Sequence, residues 1–381
     1  MKQRKMLVGA AFVGALATLG VVQNLLETKA EAQGGSAVQA PKYEVDPAWP
    51  QPLPNDWFIG QTIGVWVDNQ DHVWIIHRND SPDAVEAAAD AGTARCCKKA
   101  PPVIEFDAAG KIVNAWGGPS PTKEYDWPAS NHGIYADTEG FVWIGGNGGT
   151  DGMVLKFDRK GKFIKQFGKA GVKADSNATD HFFQVAKIFV DEKNNELYVA
   201  DGYGNQRVAV FDADTGKFKR MWAAFGKTPA AAAEAAKEYQ AKESTGDGPP
   251  QFGLVHAVKV SNDGIVYVAD RQNNRIQVFT PEGKYIRQFK VQSDGPPTPV
   301  PAGFAFSPDP KQQFLYVVDS GPMRIVIFDR ATLTQIGSIG MRGSKPGDFD
   351  IVHHMAVDSK GNLYTAEIVT NRRAQKFVVS K

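Results

Sequence analysis

One pattern recurs six times along this chain: an apolar strand, an Asp-rich turn, then a strand with an aromatic. The stretches include IGVWVDNQDHVWIIHR from Ile63, HGIYADTEGFVWIGG from His132, KIFVDEKNNELYVADG from Lys187 and HAVKVSNDGIVYVADR from His256. FAFSPDPKQQFLYVVDS from Phe304 and HMAVDSKGNLYTAEI after His353 complete the set. A third strand follows (VIEFD, VLKFD, VAVFD, IQVFT, IVIFD, AQKF), and in most units a fourth, such as KFIKQFG and KYIRQF. Short strands separated by turn residues are antiparallel hairpin units. One such sheet cannot bury both faces, so units repeated every roughly 50 to 70 residues must stack into a closed ring. The expected fold is all-β: a six-bladed β-propeller of four-stranded antiparallel blades. The sixth unit ends at AQKFVVSK with three strands. The segment YEVD, Tyr43 to Asp46, is expected to supply the fourth and leave no open edge.

The first strand of each unit carries the informative position. Eleven residues before the second-strand aromatics Trp143, Tyr267 and Tyr364 stand His132, His256 and His353. The same count from Trp74, Tyr198 and Tyr316 gives Ile63, Lys187 and Ala305. Alternate units of a six-fold ring lie about 120° apart, so three inner-strand imidazoles converge on the channel axis. Three histidines with an open position suit catalytic zinc. Imidazole also suits iron, copper or nickel.

Strand direction places the neighbours. The second strand of each blade returns to the face where the histidines start. Arg78 stands four residues past Trp74, Arg271 four past Tyr267, and Tyr203 five past Tyr198, so all three point to the rim above the histidines. The two longest insertions, Asn79 to Pro102 and Lys227 to Pro250, join elements on that face, and PAAAAEAAKEYQAKE in the second is a predicted helix. Arg207, Arg275, Arg324 and Arg373 each stand four residues before a third-strand Phe. A residue recurring once per blade is expected to be structural.

Length and charge bound the rest. A chain of 381 residues with 42% hydrophobic residues can bury a large core. With 43 basic against 42 acidic residues it carries no nucleic-acid footprint. MKQRK, the apolar run Met6 to Val22 and the small-x-small site Ala30-Glu31-Ala32 read as a secretory signal cut after Ala32. Retention of that run would make it a membrane anchor. Cleavage takes the net charge from +1 to −1. The expected organisation is residues 1–32 signal peptide, 33–60 N-terminal segment with the closing strand, and 61–381 propeller, in a periplasmic or secreted protein. Cys96 and Cys97 are adjacent, which fits a loop feature or a local redox pair better than a metal site.

FQVAKIFVDEKNNELYVADGYGNQRVAVFD, HAVKVSNDGIVYVADRQNNRIQVF and the HGIYADTEG unit resemble NHL-repeat propellers, and more narrowly the peptidyl-α-hydroxyglycine α-amidating lyases. The resemblance runs from about Ile63 to Phe377. It implies zinc ligands at His132, His256 and His353, active-site arginines at Arg78 and Arg271, and an active-site tyrosine at Tyr203 acting as base with its pKa lowered by the metal or an arginine. Three departures accompany it. His354 stands where the family has an aspartate that binds a structural calcium, which puts calcium in doubt. Gly204 stands where a disulfide cysteine would follow the tyrosine. No copper monooxygenase sequence precedes the propeller, so a separate hydroxylating enzyme is expected to supply a hydroxyglycine. As the residue after His353 in a strand, His354 is expected to point away from the metal.

Three functions remain open on these residues. One is a zinc-dependent carbon–nitrogen lyase acting on a small-molecule or peptide-like carbinolamide. Another is a metal-dependent hydrolase of lactonase or esterase type, disfavoured because no carboxylate recurs at the inner-strand position. The third is a non-enzymatic binding propeller.

Overall fold

The computed structural model describes residues 38–78, 87–88, 91–239, 247–291 and 300–380. The signal segment and its cleavage site lie outside these residues, as do parts of both rim insertions. The compact unit Pro41–Lys381 contains six four-stranded antiparallel sheets arranged as a propeller. The first strands, Gln61–Val67, Asn131–Ala136, Val185–Asp191, Val255–Val260, Phe304–Phe306 and Ile351–Val357, begin blades one to six in order. They line the axis, and the first strands of most neighbouring blades pack against one another.

The recurrent Asp and aromatic are bound to each other. Asp68 Oδ1 accepts the backbone N–H groups of Gln70 and His72, which closes the turn, while Oδ2 accepts from Trp74 Nε1 at 2.9 Å. Asp137 repeats this with Trp143, and Asp358 with Tyr364. The six second-strand aromatics are all buried. Each brings a large apolar surface inside, and the polar atoms of Trp74, Trp143, Tyr198 and Tyr364 find a carboxylate, while the hydroxyls of Tyr267 and Tyr316 meet Arg330 and Tyr43.

The recurrent arginines are structural, as expected. Arg207 pairs with Asp201 at 2.9 Å, Arg275 with Asp270 at 2.7 Å, Arg324 with Asp319 at 3.1 Å and Arg373 with Glu367 at 3.0 Å. Each acid lies at the end of the second strand of the same blade, the last residue in three of them and the penultimate one at Glu367. Arg207 and Arg275 also donate to carbonyls of the preceding inter-blade loop, at His181 and Pro249.

Lys42–Val45 pairs antiparallel with Ala374–Ser380 and completes blade six. Tyr43 Oη donates to Tyr316 Oη at 2.7 Å, and Trp49 packs 5.1 Å from Tyr364 and 5.5 Å from Phe106. In the Lys227–Pro250 insertion, Pro229–Glu238 is helical, with Thr228 Oγ1 accepting from Ala231 N as its N-cap. A chain lacking residues 33–46 exposes the edge of Ala374–Ser380. Its melting temperature is expected to fall by about 5 °C or more, with aggregation detected by light scattering. An unchanged melting curve would show that the ring closes without this strand.

Candidate metal centre

Side chains alternate along a strand, but a bulge makes two neighbours share a face. The first strands of blades one, three, four and six each shift register by one residue, at Ile63, Ala186, His256 and His353. In blade two the shift falls between Asn131 and Ile134, a stretch that contains His132 and Gly133. The bulges sit where the strands enter the channel.

This arrangement explains why histidine occupies only alternate blades. His132 Nδ1 bonds the carbonyl of Ala186 at 2.6 Å, and His353 Nδ1 that of Ile63 at 2.8 Å. His256 Nδ1 bonds the carbonyl of Ala302. Each even blade provides an imidazole, and the next blade provides the backbone acceptor that holds it. A ring that donates from Nδ1 carries its lone pair on Nε2. The ligand atoms of the three rings all lie within 4.8 Å of one another. Burial first, then neighbouring imidazoles and arginines, push all three well below the usual histidine range. They are therefore neutral, as metal ligands must be.

Tyr203 Oη stands 3.0 Å from Nε2 of both His132 and His256. Two lone pairs thus face one hydroxyl with one proton, an arrangement that a cation among them resolves. The residues fit a three-histidine metal such as zinc. Arg78 and Arg271 both interact with this group electrostatically. Arg78 is braced, with Nε on Asn131 O at 3.1 Å and Nη2 on Asn147 Oδ1 at 2.7 Å. Arg271 keeps a buried Nε with no hydrogen-bond partner. The expected lowering of the Tyr203 pKa is corrected for the protein alone. Burial raises it, and this outweighs the opposing pull of Arg271 and Arg78.

Two further readings are corrected. Blade three has one extra turn residue, because Phe189 pairs with Tyr198 across nine positions whereas Lys259 pairs with Tyr267 across eight. Its equivalent of the histidines is therefore Ala186, and Lys187 aligns with His354. His354 does not point away. The bulge turns it into the channel, with its ring centroid 4.7 Å from that of His353 and 5.4 Å from that of His256. Both its ring nitrogens are buried without partners, and it is not among the three grouped ligands. Lys187 is buried beside it and places Nζ 3.4 Å from Val65 O. Calcium needs oxygen ligands and anionic charge, so an imidazole beside an amine does not fit it.

Some supporting residues escape sequence reasoning. Asn147 stands four past Trp143, the same count that finds Arg78 and Arg271, so that rule applied to every blade locates it. Gln184 offers no such signal. It adopts φ +62°, accepts from Tyr203 N at 3.2 Å and donates Nε2 to Asn147 O at 2.9 Å, linking tyrosine to arginine support. Gly202 permits close approach, since a Cβ there would meet Val255 O, next to His256, at 2.0 Å. Phe183 packs over Gly204, where the cysteine was absent. Cys96 and Cys97 form a disulfide with each other. A second acidic group, Asp68, His72 and Glu105, is filled by the Arg159 guanidinium.

An NHL repeat model matches residues 252–279, which contain His256 and Arg271. NHL repeat-containing protein 3 of Homo sapiens is 27% identical over 88% of this chain and 84% of its own length. The probable peptidyl-alpha-hydroxyglycine alpha-amidating lyase of Caenorhabditis elegans is 32% identical over 39% of this chain and 36% of its own. Streptogramin B lyase superposes with a TM-score of 0.53 at 12% identity, covering 89% of this chain and 98% of that structure, which supports the fold alone. Together these findings describe a six-bladed β-propeller that carries an NHL repeat at residues 252–279 and is distantly similar to NHL repeat-containing protein 3 and to the peptidyl-α-hydroxyglycine amidating lyases.

Proposed function

We propose that the protein is an exported, metal-dependent lyase that cleaves a carbinolamide, R–CO–NH–CH(OH)–COO⁻, to the amide and glyoxylate. The observation that carries this reading is Tyr203 Oη 3.0 Å from two ligand nitrogens, beside Arg271 with its unpaired Nε. His132, His256 and His353 would hold zinc, which when bound supplies the positive charge that polarises the substrate oxygens and lowers the phenol pKa.

The chain's own residues do the rest. Arg271 and Arg78 orient the substrate carboxylate through charge-assisted hydrogen bonds. Tyr203 Oη accepts the proton of the carbinol hydroxyl. The oxygen's electron pair becomes the aldehyde C=O as the C–N bond breaks. Accepting that proton requires Tyr203 to start as the phenolate, the form that zinc at the histidines would favour. The departing nitrogen then takes the proton from Tyr203, so that the amide leaves neutral and Tyr203 returns to the phenolate. The hydrolase alternative gains no support, since the three grouped ligands among the described residues include no carboxylate.

Metal analysis of protein purified without added metal is expected to find about one zinc per chain. Alanine at His132, His256 or His353 should each abolish it. Metal retained by all three variants rejects the centre. With α-hydroxyhippurate as substrate, Tyr203→Phe should keep its zinc and its KM while kcat falls about 10²- to 10⁴-fold. Arg271→Ala should instead raise KM by roughly ten- to hundredfold. No glyoxylate from zinc-loaded wild type would reject the lyase chemistry. Full activity of Tyr203→Phe would reject only the role of that hydroxyl. Export predicts that the mature protein begins at Gln33, which N-terminal sequencing of the periplasmic or culture fraction checks. A chain beginning at Met1 would point to a retained anchor.

A further inference from the structure

A groove of ≈ 510 Å³ opens at the rim between blades one and two. Its inner end is the wall of the metal centre, because Arg78 and Asn131 line it and Asn131 directly precedes His132. Its floor and sides are apolar and rigid: Trp127 with Pro119 and Pro128. The Trp127 ring is held by Phe157, centroids 6.0 Å apart, and by Tyr125 at 6.4 Å. It also rests on Gly117 at φ +111°, where a Cβ would come within 2.7 Å of the ring. Lys99 lies on the far side, on a short strand that pairs with Trp57–Phe58. Among the described residues, the lining holds two cations and no carboxylate. A groove of similar volume at the opposite end of the blades is instead lined by Asp191, Glu192 and Asp263, and none of the three histidines lines it.

Resting on the lyase reading above, we propose that this groove is the subsite for the acyl group of the substrate. It takes an acyl group with a flat apolar body and favours one ending in an anion. A carboxylate held near Arg271 directs the other end of the molecule past Arg78 and into the groove. There the apolar body packs on Trp127, and an anionic end meets Lys99. The volume lies within the range of small-ligand sites and suits an aromatic or short branched acyl group. Arg78 is the boundary residue, facing the metal centre and lining the groove.

Three N-acylglycines without the hydroxyl test this independently of turnover: N-acetylglycine, N-benzoylglycine and N-(4-carboxybenzoyl)glycine, titrated calorimetrically into the zinc-loaded full chain. The benzoyl compound should bind about tenfold more tightly than the acetyl compound, and the carboxybenzoyl compound more tightly again. Trp127→Leu should erase the benzoyl advantage. Lys99→Glu should erase or reverse the gain from the added carboxylate while leaving the benzoyl advantage in place. The acetyl compound, too short to reach the groove, should bind each variant as it binds wild type. Equal affinity for acetyl and benzoyl compounds in wild type overturns the proposal, as does absence of binding by all three. If Trp127→Leu unfolds, as melting and zinc content would reveal, Lys99→Glu decides alone: an undiminished carboxylate gain rejects the subsite. An acyl preference in a protein that releases no glyoxylate would keep the groove and reject the lyase chemistry.

Discussion

The hydrogen bond from each histidine Nδ1 to a backbone carbonyl of the next blade underlies the arrangement at the channel. It turns a neutral imidazole so that its remaining lone pair faces the axis, and it ties three blades to their neighbours at the same depth. The carbonyls come from Ala186, Ala302 and Ile63, on blades three, five and one. Alternation of histidine around the ring is therefore a division of labour. A histidine in every blade would remove no acceptor, but it would crowd six rings into a space that holds three within ligand distance.

The channel is unusually rich in nitrogen. Arg78, Arg271, Lys187 and His354 are the electrostatic neighbours of the three histidines, and no carboxylate appears among them. Burial pushes Lys187 well below the usual amine range, with Lys259 adding to the shift. Such a site disfavours a hard cation such as calcium, which needs oxygen ligands and anionic charge. The same imbalance frames Tyr203. Burial holds its proton on, and Arg271 and Arg78 pull the other way.

Much of this was legible in the residues. The spacing from turn to aromatic marked the blades, and in blades one, two and six the turn carboxylate also bonds the aromatic of the next strand. The counts from that aromatic located His132, His256, His353, Arg78, Arg271 and Tyr203. The count failed in blades three and five: one added turn residue moved Lys187 off the histidine position and onto that of His354, and a longer turn set Ala305 opposite Tyr316 itself, so that Ala302 takes the histidine position there. Sequence numbering carries no register, and a hairpin can absorb a residue without disturbing its pairing on either side.

The sequence by itself determined the six-fold repeat, closure by the YEVD strand and the three histidines, because these depend on periodicity and residue type. Only the tertiary structure decided which way each imbalance points. The bulges at the channel entrance turn His354 inward against the strict alternation of a strand. Gln184 joins Tyr203 to Asn147 across two blades from a backbone conformation that no spacing announces. The rim groove combines Lys99 from the insertion with Trp127 from the segment leading into blade two. Each of these rests on contacts between residues distant in the chain, and such contacts exist only once the ring has closed.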